Sequence, residues 1–354
     1  MPKSKHKEKH SNARLTRIVK AFSGRRLGVL GDWMLDRYVW GKATRLSPEA
    51  AVPVVEFEKE DSTLGGAGNV AANLARYGAG VVPFGTAGKD HAADLLRSMA
   101  RKLEMPEKGI VEDSARKTTI KTRIIARHQQ IVRVDRETRV PLRPEMEEML
   151  IRRVIAVLPT LHAMVLSDYD KGVVTDVVAA RVLGACGKLG IRSFVKPKWS
   201  MLATYPGASV IVLNRNEASF FVSRTLDDDA SVEQAAAQLL EKFKCPAVII
   251  TRGEKGMCLL EQDVTKAVHI SATSEEPPVG RLGQRAQPAA SGRQVFDVTG
   301  AGDTVLATLA LAVAAGASLP EAAVLANTAA GVVVGKLGTA TVTPAELLAA
   351  LRAL

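Results

Sequence analysis

From residue 163 to residue 251 the chain alternates between short apolar runs and longer segments patterned for helices, and this rhythm constrains the fold more than any other feature. The runs at 163–167, 192–195, 210–213 and 247–251 read as strands, and 175–189, 217–221 and 232–243 as the helices between them. Strands joined by helical crossovers pair in parallel, and a parallel sheet is covered on both faces. Ligands of such sheets gather beyond the carboxyl ends of the strands. Residues 26–31 and 81–85 add two more buried strands, the first ending at Asp32, and 65–77 and 92–103 add helices. Between them the pattern changes. Residues 38–60 alternate around Gly41, Pro48 and Pro53, and 118–135 alternate apolar with charged residues at period two. Both read as antiparallel strands of a small lid outside the main sheet, at about 37–63 and 117–136.

Composition agrees with this architecture. Hydrophobic residues make up 47% and aromatics only 4%, so Val, Leu, Ile and Ala must fill the core, as suits helices packed on a parallel sheet. A length of 354 residues admits one large α/β domain or two ordinary ones. No apolar run is long enough to span a bilayer, and the N-terminus lacks the apolar stretch of a secretory signal, so membrane insertion is not expected. Cys186, Cys245 and Cys258 are widely spaced and odd in number, which reads as buried thiols in a reducing cytoplasm. The six histidines show no zinc-type pairing.

The net charge of +11 is concentrated at the start: seven basic residues up to Lys20 face Glu8 alone, and six of the eleven excess charges lie there. A basic arm can bind nucleic acid. Without interleaved aromatics, a disordered solubilising tail over residues 1–24 is the better expectation, and nucleic acid an unlikely partner. Residues 271–294, rich in Pro, Gly, Ser and Ala, read as a flexible loop.

That loop runs into F-D-V-T-G-A-G-D-T at 296–304, followed at once by the apolar helix VLATLALAVAAG. Small residues before a helix leave backbone N–H groups free, and the helix dipole adds partial positive charge. Thr299, Gly300, Ala301 and Gly302 would form an anion hole, with glycines letting a phosphate approach the backbone. Asp303 stands at its mouth. A carboxylate there does not favour phosphate binding, but it suits a general base acting on an incoming hydroxyl. Phosphoryl transfer asks of protein mainly in-line positioning and charge stabilisation. The alternative is a plain helix start with packing glycines.

The D-V-T-G-A-G-D-T segment resembles the signature of the ribokinase (PfkB) family of carbohydrate kinases, and Gly65-Gly66-Ala67-Gly68-Asn69 resembles its second signature. Within the family, GDWMLDRYVWG, RLSPEAAVPVV, IARHQQIVRVD, LSDYDKG and AAGVVVGKLGTATV are most similar to the heptose 7-phosphate kinases. The resemblance covers the chain from about Arg26 onward, so residues 25–354 would be one kinase domain. It implies a ribokinase-like three-layer α/β sandwich, with a mostly parallel sheet and a small β lid. It implies ATP and Mg2+ as cofactors, admits a monovalent cation, and suggests a homodimer formed through the lid strands.

The resemblance also implies site residues. Asp303 would be the base, with Gly300, Ala301 and Gly302 as the anion hole. Asp32, Asp36, Gly65, Gly66 and Asn69 would hold the sugar hydroxyls. Lys121, Arg123, Arg127, Gln129 and Arg133 of the second hairpin, with Lys171, would clamp an anionic group already on the sugar. Asn214, Thr251, Gly253, Val298, Thr299, Asn327 and Gly331 would hold the nucleotide, and Glu217 would reach the metal through water. Other readings stand beside these. Asp32 and Asp36 suit a turn cap, Asn214 and Glu217 a helix cap, the basic hairpin a solvated face, and Asn327 and Gly331 helix packing.

Three features depart from the family, one being the long loop from Ser271, which replaces a much shorter link just before the glycine-rich motif. In F-V-K-P-K-W at 194–199, Lys196 stands where the heptose kinases carry an aspartate, which either disturbs the water around magnesium or adds a contact to phosphate. Trp33, beside Asp32, is large enough to narrow the sugar pocket. The heptose enzymes are often fused to a nucleotidyltransferase; with a final helix at 344–354, one activity is expected here. A dinucleotide site at 66–71 fails because no buried strand precedes it. The expectation is transfer of the ATP γ-phosphate to the anomeric hydroxyl of a heptose 7-phosphate. A kinase for another sugar phosphate or nucleoside, or a ligand sensor on a kinase fold, is the alternative.

Overall fold

A computed structural model describes residues 12–126, 129–198, 205–272, 300–336 and 340–353. The chain opens with α1 (Asn12–Lys20), β1 (Arg26–Gly31), β2 (Trp33–Leu46), β3 (Pro53–Gly66), α2 (Ala67–Arg76), β4 (Gly80–Ala87) and α3 (His91–Lys102). It continues through β5 (Ile110–Glu112), β6 (Thr119–Ala126), β7 (Gln129–Arg136), α4 (Pro144–Val157), β8 (Ala163–Ser167), α5 (Asp176–Lys188), β9 (Arg192–Lys196) and β10 (Val210–Asn214). The remainder comprises α6 (Arg215–Val222), α7 (Asp229–Phe243), β11 (Ala247–Thr251), β12 (Met257–Glu261), β13 (Val268–Ile270), α8 (Ala301–Ala314), α9 (Leu319–Val333) and α10 (Pro344–Arg352).

The large sheet has the order β13-β12-β11-β10-β9-β8-β1-β4-β5. From β11 to β5 every pairing is parallel, and only the β11–β12 and β12–β13 pairings at one edge are antiparallel. Its strands are apolar on both faces because both faces are covered. Val29, Val165, Val212 and Ile249 join a core with α1, α2, α3, α8, α9 and α10. Leu30, Leu166, Leu213 and Ile250 join a second core on the other face, with α4, α5 and α7. Helix α8 is buried almost throughout from Asp303 to Ala312 and packs against α2, α9 and the strands β8 and β9. An all-round apolar helix is stable only in such a place.

The second sheet has the order β3-β2-β6-β7. Both expected hairpins are present and antiparallel, and they join through a parallel pairing of β2 with β6. Only Asp32 separates β1 from β2, so the chain passes from one sheet to the other within a single residue. Trp33 is buried at that crossing and donates its indole N–H to the Phe84 carbonyl at 3.0 Å, so it packs in the core.

The structure adds elements that the sequence patterns did not suggest. The stretch 12–20, expected as part of a disordered tail, is a helix. Leu15, Ile18 and Val19 repeat at helical spacing and are buried, and Arg14 pairs with Glu321 of α9. The basic residues lie on the other side of this amphipathic turn and had masked it. Helix α4 and strands β12 and β13 were also unforeseen. All three cysteines are buried free thiols. Most of the 271–294 loop lies outside the described residues.

If α1 is docked as described, Leu15→Ala should lower unfolding stability by about 2–3 kcal/mol, the usual loss for a buried leucine. Urea denaturation reads this directly, and an unchanged midpoint would show that the helix is not part of the fold.

Candidate functional site

Parallel strands bring their carboxyl ends to one edge, and that edge collects the polar residues singled out above. Asp32 follows β1; Ser167 closes β8 and is followed by Asp168 and Tyr169; Lys196 closes β9, Asn214 closes β10, and Thr251 closes β11. Ser167 pairs with Lys196, and Asn214 with Thr251, so these positions are level with one another.

The start of α8 faces this edge. Gly300 caps the helix with φ +83°, a left-handed conformation that favours glycine. The amides of Asp303 and Thr304 bond back to the Gly300 carbonyl at 3.0 Å each. Those of Ala301 and Gly302 stand at the first helical positions, where an amide has no acceptor within its own helix. Val298 and Thr299 lie outside the described residues.

A polar seam sets α8 against α2. Asn69 Nδ2 donates to Asp303 Oδ2 at 3.0 Å, Thr304 Oγ1 donates to Asn73 Oδ1 at 3.2 Å, and Tyr77 Oη meets Thr308 Oγ1 at 3.1 Å. Positions 69, 73 and 77 are four apart, one face of a helix, so three consecutive turns are pinned. Asp303 is buried, and its other oxygen is held from the opposite side. Tyr169 Oη donates to Oδ1 at 2.5 Å and Lys196 Nζ at 2.9 Å. Burial and the Asp303 charge hold the Tyr169 hydroxyl above its ordinary range, so it stays a proton donor. Burial works against the Lys196 charge, but Asp303, Tyr169 and Glu217 outweigh it and leave the ammonium pKa raised.

On the sugar side, Asp36 is buried and Arg123 Nη1 meets its Oδ1 at 2.5 Å. Burial raises the Asp36 pKa and the nearby Asp303 adds to this, with Arg123 opposing. Gly65 lies so close that a Cβ would sit 2.4 Å from Asp36 Oδ2, and Gly66 turns the chain into α2 with φ +57°. Asp32 is placed differently from a hydroxyl-binding acid. Its Oδ2 accepts the amides of Tyr169 at 2.7 Å and Lys171 at 3.2 Å, and Oδ1 accepts that of Val173 at 3.3 Å. It ties down the loop that carries Tyr169.

Three of the cations expected to clamp the sugar's anionic group have carboxylate partners. Lys121 meets Asp135 at 3.1 Å, Arg133 meets Asp135 at 2.8 Å, and Lys171 meets Glu137 at 3.0 Å. Gln129 is exposed at the start of β7. Arg127 lies outside the described residues.

On the nucleotide side, Asn214 and Glu217 form a reciprocal capping box at the start of α6, each bond 2.8 Å. Glu217 Oε1 faces Lys198 at 3.6 Å. Thr251 Oγ1 donates to the Leu213 carbonyl at 3.4 Å, and Gly253 follows in a tight turn with φ +61°. Asn327 of α9 holds the Ser271 carbonyl at 2.7 Å, and Gly331 lies one turn further on the same helix. The helix-cap reading of Asn214 and Glu217 therefore holds locally, and it leaves Glu217 buried beside the site.

Tyr169, Asp168 and Arg116 were not singled out from the sequence. Asp168 accepts from Tyr205 Oη at 2.6 Å and from the Asp170 amide at 2.8 Å. Burial and the neighbouring Asp32 push its carboxyl up to about 7. Arg116 reaches the carbonyls of Lys171 and Val140 and favours the charged form of Asp32. Asp32, Arg116, Lys117 and Lys171 line a small cleft beside the lid. The run S-D-Y-D-K-G after a buried strand was the available signal for the loop residues; nothing local marks Arg116.

Comparison with known proteins agrees with the geometry. The family model of the pfkB carbohydrate kinases matches residues 26–346. The bifunctional protein HldE of Desulfatibacillum aliphaticivorans is 42% identical over 334 residues, covering 94% of this chain and 64% of that protein. The HldE of Caulobacter vibrioides is 44% identical over 336 residues, covering 95% and 65%. The chain thus spans just under two thirds of the curated relatives it matches. Two solved structures share the fold. Ribokinase of Arabidopsis thaliana complexed with ribose and ATP has a TM-score of 0.70 at 19% identity, covering 93% of this chain and 99% of that one. Phosphofructokinase-2 of Escherichia coli in complex with substrates and products has a TM-score of 0.72 at 19% identity, with the same coverage. The architecture is ribokinase-like, as the sequence led us to expect.

The raised Asp168 carboxyl carries a testable consequence. The folded chain keeps this proton up to about pH 7, whereas the unfolded chain loses it near pH 4. The folded state binds more protons in that window, so this group's contribution to stability falls as pH rises through it. Asp168→Asn should flatten the decline between about pH 4 and 7 in urea denaturation. Equal slopes for the two proteins would refute the assignment.

Proposed function

The chain belongs to the pfkB family of carbohydrate kinases, and from that premise we propose that it transfers the γ-phosphoryl group of ATP to the anomeric hydroxyl of a heptose 7-phosphate or a close relative. The observation that carries this is Asp303, in the first turn of α8 between the first-turn amides of Ala301 and Gly302 and the carboxyl edge of the sheet. The γ-phosphate would lie on those amides, where helix polarity favours negative charge. The acceptor hydroxyl would face Asp303. Its oxygen bonds to the γ-phosphorus as the bond to the β,γ-bridging oxygen breaks. That oxygen leaves on ADP with the electron pair, and the hydroxyl proton passes to Asp303. Asn69 fixes the orientation of the carboxylate.

Asn214, Thr251, Gly253, Asn327 and Gly331 support a nucleotide lying across the ends of β10 and β11. Among the described residues no three acidic, histidine or cysteine side chains are grouped to hold a metal. Magnesium would therefore ride on the nucleotide phosphates, with buried Glu217 accepting from its water. When bound, it would neutralise charge on the β- and γ-phosphates. The heptose reading is supported by the five similar sequence stretches. A substrate that already carries phosphate is supported by the cations Lys121, Arg123, Arg133 and Lys171, whose carboxylate partners an incoming anion would displace. Exposed Phe57, Ile131, Val132 and Val134 on the small sheet support a homodimer through the lid.

Asp303→Asn should lower kcat by about 10² to 10⁴, the usual worth of a general base. ADP release from ATP and magnesium, screened against phosphorylated sugars, measures it. Near-normal turnover by the variant would defeat the assignment, and no release with any sugar would favour a sensor.

A further inference from the structure

Lys196 occupies a position that neither sugar binding nor nucleotide binding explains. It closes β9, and its ammonium reaches across the crevice to α8. There Nζ lies 2.9 Å from Asp303 Oδ1 and 3.3 Å from Tyr169 Oη, 5.2 Å above the Tyr169 ring centroid. It is also 3.1 Å from where a Cβ on Gly302 would stand. Its side chain is 16% exposed and that of Asp303 is 6%. The cation therefore sits against both the base and the first turn of the helix.

This pairing opposes the chemistry in one respect and serves it in another. Lys196, Tyr169 and Asn69 all donate to Asp303, and Lys196 occupies the carboxylate oxygen that an acceptor hydroxyl would have to reach. Yet Gly302 marks the place where a terminal phosphate would meet the helix amides. A phosphate there carries more negative charge than one carboxylate, and at these distances it competes strongly for the same ammonium.

We propose that Lys196 is an exchangeable cation: it rests on Asp303, moves onto the γ-phosphate when ATP binds, and so frees the base while neutralising the transferring group. The proposal rests on the phosphoryl-transfer reading above and adds to it the residue that couples nucleotide binding to base activation. Once Lys196 has left, Asp303 Oδ1 keeps the Tyr169 bond and has room to take the acceptor's proton. The ammonium then stabilises charge on the equatorial phosphoryl oxygens, a role commonly given to lysine or arginine in such transfers. Other charged groups bear on the pair. Asp36 of β2 adds negative potential near Asp303, and Glu217 of α6 does so near Lys196. Both favour keeping a cation in the crevice, whichever partner holds it.

The test compares Lys196→Met, Lys196→Arg and Asp303→Asn in the full chain, with ATP, magnesium and the best sugar phosphate from the screen. Lys196→Met should lower kcat by about 10² while changing the KM of the sugar less than about threefold, since the lysine acts on the transferring group. In the free enzyme its loss should also strengthen the base, so the acid limb of kcat/KM should move to higher pH. Lys196→Arg should recover part of kcat. A merely structural lysine would leave the acid limb in place, and thermal melting reports whether each variant is folded. Unchanged or higher kcat in Lys196→Met, or an unmoved acid limb in all the lysine variants, overturns the proposal, provided Asp303→Asn is inactive. Should Lys196→Met not fold, Lys196→Gln is read by the same criteria. Normal turnover by Asp303→Asn would instead sink the phosphoryl-transfer reading itself.

Discussion

A buried carboxylate is tolerated only where donors surround it, and the Asp303 carboxylate is the point on which the site is organised. Its three donors come from three separate pieces of chain: Asn69 from α2, Tyr169 from the loop after β8, and Lys196 from β9. As the structure stands, each of them helps to balance the buried charge. The seam of Asn73, Thr304, Tyr77 and Thr308 continues this constraint along α2 and α8, and holds the two helices in one register.

A second buried acid supports the first indirectly. Asp32 accepts three amides of the loop at 169–173, and so fixes where Tyr169 stands. It also raises the proton affinity of neighbouring Asp168, because two carboxylates in one buried neighbourhood resist ionising together. The lid meets this region through Asp36 and Arg123, while Lys121 is held by Asp135 and Lys171 by Glu137. The result is a crevice with paired charges on both walls.

Much of this could be read from residues in order. The strands at 163–167, 192–195, 210–213 and 247–251 follow from apolar runs that only a doubly covered sheet can bury, and β8 to β11 match them within a residue. The glycine run before an apolar helix located Asp303, and period-two alternation located both hairpins. Helix α1 escaped because lysines and arginines dominate its composition, although Leu15, Ile18 and Val19 carry the helical spacing. The parallel joining of β2 and β6 escaped because pairing between hairpins depends on residues about eighty apart, and strand alternation says nothing of neighbours. Lys196 was visible as a departure from the family pattern, while its partner was not.

The sequence by itself determined which segments are strands and helices, which faces they bury, and which glycine-rich turn meets an acid, because periodicity and backbone freedom are local properties. Tertiary structure decided which polar groups meet. It turned Asp32 inward onto the backbone and laid Lys196 on Asp303, 107 positions further along the chain. It also set Lys121 and Arg133 against Asp135, and Lys171 against Glu137. Such contacts arise when separate elements pack together, and the requirement that every buried charge find a partner selects them only once the chain has folded.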